Sequence, residues 1–208
     1  MINAKACIGS HDVLIVTFDT LRFDVAQRGV SENRTPFLKS ILPQVKWEKR
    51  HTPATFTYPA HHAFFTGYLP TPVPKTDHYT RLFACDFADS STTGDTTWVT
   101  DKANIINGME SVGYHTICIG GVGFFNKEND LGNVLPGLFM ESHWSPELGV
   151  TSPQSTENQV TLAVQRLKQL NPEQRILLFI NLSATHQPNC IFSDTATEDS
   201  PETQLDAL

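Results

Sequence analysis

An α/β fold built on a mostly parallel sheet is what this chain predicts, on three observations. Two apolar runs, Asp12-Val-Leu-Ile-Val-Thr-Phe18 and Arg175-Ile-Leu-Leu-Phe-Ile-Asn-Leu182, lack the polar alternation of a half-exposed strand and have the composition of strands covered on both faces. A third run, Tyr114-His-Thr-Ile-Cys-Ile119, stops at Gly120-Gly121. Between the runs lie segments with apolar residues at helical spacing, and the alternation of strand and helix places helices on both faces of the sheet.

Taken in order, the first strand ends at Asp19-Thr20. Thr35-Pro36 then supplies a helix cap with proline at the first helical position, and Phe37, Leu38, Ile41 and Leu42 keep helical spacing up to Pro43. An extended segment is expected from Val45 to His51. After Thr52-Pro-Ala-Thr-Phe-Thr-Tyr-Pro59, the residues from Ala60 to Phe65 read as a helix stopped by Gly67, with Thr57 in the turn before it. The stretch from Pro70 to Asp95 reads as an irregular surface connection on the substrate side. Asn104 to Val112 is a predicted helix closed by Gly113, ahead of the Tyr114 strand. Ser155 to Leu170 carries Val160, Ala163, Val164, Leu167 and Leu170 as a helical stripe, leading to the Arg175 strand. The last residues begin a helix at Pro201, with Leu205 and Leu208 on its apolar side, and its arrival at Leu208 without a C-cap reads as a truncated polypeptide.

Composition narrows the function classes. The chain has 208 residues, the size of a single domain over 1–208, and 39% of them are hydrophobic, too many for a disordered chain. No apolar run approaches the roughly 20 residues of a membrane span, and the first residues lack the apolar stretch of a secretory signal, so a cytoplasmic protein without a membrane partner is expected. A net charge of −7 with scattered Lys and Arg argues against nucleic acid as a partner. Cys7, Cys85, Cys118 and Cys190 form no Cys-x-x-Cys pair and read as core thiols. Asn181 lies in a sequon at the end of an apolar run, where a glycan has no room.

Two residues stand where chemistry is expected. Ligands of open α/β sheets bind at the carboxyl ends of the strands, which puts Asp19 where a hard metal ligand would sit, although a loop or capping role is open to it. Thr57, ahead of a helix, reads either as a helix cap or as a reactive hydroxyl. The blocks Val-Leu-Ile-Val-Thr-Phe-Asp19-Thr-Leu-Arg22-Phe-Asp24, Thr35-Pro-Phe-Leu and Thr57-Tyr-Pro59-Ala-His61-His-Ala-Phe-Phe-Thr66-Gly67-Tyr-Leu-Pro70 together resemble the alkaline phosphatase superfamily, more closely its sulfatase-like and nucleotide pyrophosphatase/phosphodiesterase branches. Gly113-Tyr-His-Thr-Ile-Cys-Ile-Gly120 and Leu178-Phe-Ile-Asn-Leu-Ser-Ala-Thr-His186-Gln-Pro188 follow the order of later family segments.

The resemblance implies an alkaline phosphatase-like three-layer α/β sandwich with a mostly parallel central sheet, C-terminally truncated. It implies a divalent metal, zinc first with manganese or calcium as alternatives, held by Asp19 and Thr57, and Thr57 as nucleophile. It also gives His186 a contact with the substrate anion or with a second metal. Arg22 either grips an anionic substrate or pairs with Asp24; His61, His62 and His115 either pack or cap. Thr57 and His61 replace the Cys or Ser and the Arg of sulfatases, and Gly121 replaces their Lys, so formylglycine cannot form. Phosphate mono- or diesters are therefore the expected small-molecule substrates, ahead of sulfate esters. The Asp-His-Gly segment that completes a two-metal site in the family is missing from the sequence, which keeps a non-catalytic anion-binding remnant as the rival expectation.

Overall fold

The computed structural model describes residues 4–69, 82–84, 97–99 and 103–208. In chain order, helix α1 (Ala4–Cys7) precedes strand β1 (Val13–Phe18), and helices α2 (Phe23–Ser31), α3 (Pro36–Ile41) and α4 (Thr57–Thr66) follow. Strands β2 (Leu82–Ala84) and β3 (Thr97–Val99) pair in parallel as a separate two-stranded sheet. Helix α5 (Ile105–Ser111), strand β4 (His115–Ile119), helix α6 (Asp130–Val134) and strand β5 (Glu141–His143) come next, then helix α7 (Ser155–Gln169), strand β6 (Ile176–Leu182) and helix α8 (Pro201–Ala207). The main sheet has the order β1-β6-β4-β5 and every pairing in it is parallel. An α/β architecture is thus what the sequence folds into.

Burial on both sides explains the apolar runs of β4 and β6, whereas β1, also expected to be covered on both faces, lies at the edge of the main sheet and leaves Leu14 and Val16 exposed (63% and 37%). Cys118, Leu177 and Phe179 look toward α4 and α5 and join Tyr58, Phe65, Ile106, Met109, Phe125 and Phe139 in one core. The alternate residues Ile117, Ile119, Leu178 and Ile180 look the other way and pack with Leu148 and with Ala163 of α7. The two faces follow from the period of two along each strand, and helices cover both.

Several elements depart from the expectations. Helix α2 has no counterpart among them. The Val45 to His51 segment forms no strand: a single 3-10 turn, Pro43–Val45, leads into irregular backbone in which Trp47 packs edge-on against Phe18, ring centroids 6.3 Å apart. Strand β5 is also unanticipated, because Glu-Ser-His is not a strand-forming triplet. It is held by its ladder to β4 and by Glu141, which takes Arg166 of α7 on both carboxylate oxygens (2.5 and 3.1 Å) together with His115 and His143. The hydrogen bonds from Arg166 first, and from His143 and His115 after it, pull the Glu141 carboxyl down to about 2 against the opposing effect of burial. Helix α8 opens with a capping box between Ser200 and Thr203, and its Leu205 is buried against the body of the fold rather than left on a free apolar stripe. Among the described cysteines only Cys118 is a core thiol; Cys7 and Cys190 are half-buried and unbridged, and Cys85 lies outside the described residues. Most of the Pro70 to Asp95 connection also lies outside them, and the part described, β2, is a strand. Among the described residues no helix is long and apolar enough to cross a membrane.

Candidate active site

Strand β1 delivers Asp19 at its carboxyl end, where the ladder to β6 continues one step further through Asp19 N–H to Leu182 O at 3.0 Å. The next residue, Thr20, sits at φ 56°, a conformation that a β-branched residue adopts only when its surroundings impose it. The imposing contacts are identifiable. Thr20 Oγ1 donates to Thr185 O (3.1 Å), Thr185 Oγ1 donates to Asp19 O (2.7 Å), and Gln204 Nε2 of α8 donates to both Thr20 O (3.2 Å) and Thr185 O (2.9 Å). The turn that aims Asp19 is therefore clamped from the loop after β6 and from α8.

Thr57 is the first residue of α4, not a residue of the turn before it, and Phe56 occupies the cap position. Its side chain makes no capping bond. Instead Thr57 Oγ1 donates toward both carboxylate oxygens of Asp19, at 3.2 and 3.3 Å. The capping role is thus excluded by geometry, and the two residues singled out from separate blocks of sequence meet.

Asn181, fully buried on β6, completes the arrangement. Its Nδ2 donates to Asp19 Oδ2 (3.0 Å) and to Thr17 Oγ1 (3.1 Å), while its Oδ1 accepts Val122 N–H (3.1 Å). Both amide hydrogens and the amide oxygen are used, so the amide can sit only one way round. His61, one turn into α4, bonds Thr57 O through Nδ1 (2.7 Å) and Thr17 Oγ1 through Nε2 (3.3 Å). A carbonyl only accepts, so Nδ1 carries the proton and Nε2 accepts from Thr17. Burial favours this neutral ring and pushes its pKa down, against smaller upward pulls from Thr57 O and Asp19.

Asp19 is only 5% exposed, and among the described residues no Lys, Arg or His forms an ion pair with it; its carboxylate has only neutral donors. A buried carboxylate without a cation is costly. That donor set, one carboxylate beside one hydroxyl on an open cavity, has the oxygen chemistry that a hard divalent cation takes. It does not make the four-ligand shell of a zinc site, since no group of three or more His, Cys, Asp or Glu able to hold a metal occurs among the described residues.

Two cavities open at this point. One, of about 580 Å³, is lined by Asp19, Thr57 and His61 together with the aromatic side chains Phe18, Phe56, Phe64 and Phe124. The other, of about 300 Å³, is lined by Gly123, Asn126, Asn129 and Leu131. Thr57, Phe124 and His186 border both. His186 is half-buried, and its Nδ1 donates to Gln187 O at 2.6 Å. Arg22 lies apart: its guanidinium forks onto Asp24 (2.9 and 2.7 Å) at the exposed start of α2, and it lines neither cavity. His62 packs edge-on against Tyr58 behind Thr57, with ring centroids 4.5 Å apart. His115 belongs to the Glu141 cluster on β5.

Gly121 has no room for a side chain. A Cβ there would stand 2.2 Å from Asn181 O and 2.9 Å from Ser183 Cβ. Asn181, Gln204 and Thr17 had no local signal in the sequence: each is a polar residue whose value comes from what the fold brings to it. The chain has no match among protein-family models, curated proteins or solved structures.

Proposed function

We propose that the chain is a metal-dependent hydrolase of phosphate mono- or diesters, with an alkaline phosphatase-like three-layer α/β fold and Thr57 as its nucleophile. The observation that carries this reading is the pair of hydrogen bonds from Thr57 Oγ1 to the buried Asp19 carboxylate at the mouth of a 580 Å³ cavity. A divalent cation held by Asp19 and Thr57 would lower the pKa of the hydroxyl and offset charge on the ester oxygens.

The remaining work falls to residues of the chain. Asp19 takes the hydroxyl hydrogen, which turns an Oγ1 lone pair toward the cavity; Asn181 holds Asp19, and His61 ties down the first turn of α4. Because Thr57 begins a ten-residue helix, an ester anion beside its Oγ1 also lies at the positive end of the helix dipole. His186, on the border of both cavities, is the substrate-side group. In the first step Thr57 Oγ1 bonds to phosphorus while the bond to the leaving alkoxide breaks, the hydroxyl proton passing to Asp19 or water and the alkoxide taking a proton from water. Water then cleaves the phosphothreonine, which frees Thr57 and releases the phosphate product. A reducing, cytoplasmic setting is the companion proposal, supported by three unbridged cysteines.

Substitution of Thr57 tests the reading. Thr57→Ala should keep the fold and lower turnover of aryl phosphate esters by orders of magnitude, and Thr57→Ser should restore much of it. Turnover in folded Thr57→Ala equal to that of wild type would overturn the assignment and leave an anion-binding module as the reading.

A further inference from the structure

We infer that the chain associates with a second copy of itself, helix α3 of one copy lying in an apolar trough between strand β1 and helix α7 of the next. The trough follows from how far α7 reaches across the sheet. Leu14 and Val16 pair in register with Leu178 and Ile180 of β6 and share their face, since Val13 and Ile15 pack with the opposite core. Leu178 and Ile180 are buried with Ala163 of α7, whereas their β1 neighbours stand in the open.

The helical wheel of α7 settles which of its sides borders that opening. At about 100° per residue, Asn158 and Gln169 lie on one flank of the buried line Ser155, Gln159 and Ala163, and Val160 and Val164 lie on the other. Asn158 donates to Glu147 O (3.0 Å), and Gln169 bonds Arg166, which reaches Glu141 on β5, so the first flank faces β5. With the strand order β1-β6-β4-β5, the second flank faces β1. Leu14 and Val16 thus form the floor, and the exposed Val160 and Val164 the wall, of one uncharged apolar surface.

The occupant is on the same chain. Helix α3 has no buried residue, and its Phe37 and Ile41, one turn apart on one face, are 73% and 61% exposed. Their separation along the helix is about 6 Å, as is that of Val160 and Val164, and Leu14 and Val16 stand about 7 Å apart. A helix without a groove and a groove without a helix therefore match in spacing, and exposed apolar surface of this kind marks an interaction site. The meeting groups are uncharged, so a chain of net charge −7 brings no like charges into contact there. Neither surface borders the Asp19 cavity. A contact of this size belongs to the weak, reversible class.

Sedimentation equilibrium of the full chain at about 5 and about 200 µM tests the contact. The weight-average mass is expected to rise with concentration from 23.1 kDa to twice that or more, as the contact closes on itself or repeats. Leu14→Glu and Phe37→Glu each alter a side chain that is exposed in the single copy, so both variants should keep the wild-type circular dichroism while weakening association about tenfold or more. An equimolar mixture of the two should recover association, one variant supplying α3 and the other the trough. Val112→Glu makes the same change of charge at an exposed residue after α5, on the opposite side of the sheet, and should associate as wild type does. A wild-type mass of 23.1 kDa at both concentrations, weakening by only one of Leu14→Glu and Phe37→Glu, equal weakening by Val112→Glu, or a mixture no heavier than either variant alone would overturn the inference.

Discussion

Replacing His62 by Phe should make the protein more resistant to acid than wild type. His62 is 1% exposed on α4, and burial first, then the neighbouring His61, pushes its pKa from 6.5 down to about 4. An unfolded chain therefore binds a proton at this site at pH values where the folded chain does not. Stability contributed by the neutral ring is present above about pH 6.5 and is lost as the pH falls toward 4. At about pH 5 the difference between the two proton-binding polynomials comes to about 2 kcal/mol for His62 alone. His61, also held neutral by burial, acts with the same sign. Phe keeps an aromatic ring against Tyr58, where the two rings now meet edge-on at 4.5 Å, and removes the titration. The assay is urea unfolding of wild type and His62→Phe at about pH 7.5 and about pH 5. The stability difference should move by about 2 kcal/mol in favour of the variant at the lower pH. A difference that stays constant within about 0.5 kcal/mol, or one that moves toward wild type, would refute the claim that this helix depends on neutral histidines.

Two further outcomes follow from the site. Gly121→Ala forces a Cβ to within 2.2 Å of the Asn181 carbonyl oxygen, and should cost about 2–4 kcal/mol by thermal or urea unfolding; a cost below about 0.5 kcal/mol would show that the packing between the β4 loop and β6 is loose. Manganese, magnesium, calcium or zinc, added singly at about a hundredfold over its Kd, should stabilise the wild-type chain by about 2.7 kcal/mol, and Asp19→Ala should abolish the rise in Tm. No response to any of these ions in wild type would remove the cation from the proposal.

How much of this was legible in the sequence depended on whether a segment's role is local. β4 and β6 were readable because strands covered on both faces must be apolar at nearly every position; β1 carries the same composition although Leu14 and Val16 are exposed, and α7 was readable as a helix over fifteen residues although its buried side runs through Gln159 and Ala163 and leaves Val160 and Val164 of the expected stripe exposed. Helix α2 escaped because its signals are poor. Arg22 in the cap position makes no side-chain cap, and Gly29 interrupts the stripe, being kept for close packing, with Thr35 side-chain atoms 3.2 Å from where its Cβ would stand. The polar strand β5 escaped because a ladder and the Glu141 cluster hold it, and neither is visible in three residues of sequence. In the site, Asp19 and Thr57 were legible from their block spacing, and the bond between them across 38 residues is what the fold adds. Asn181 was readable only as a polar interruption of an apolar run. Its use, three hydrogen bonds that join β1, β6 and the loop after β4, depends on register. Thr57 at the first helical position rather than at the cap is a shift of one residue, yet it decides which way the hydroxyl points.

The most direct test of Thr57 as nucleophile is to trap the intermediate. The full chain, supplied with divalent metal and an aryl phosphate diester, is quenched in acid during turnover, digested and read by mass spectrometry. The expected result is a phosphoryl adduct on Thr57, absent from Thr57→Ala and from samples without substrate. Turnover with no adduct on Thr57, or with the adduct on another residue, would contradict it.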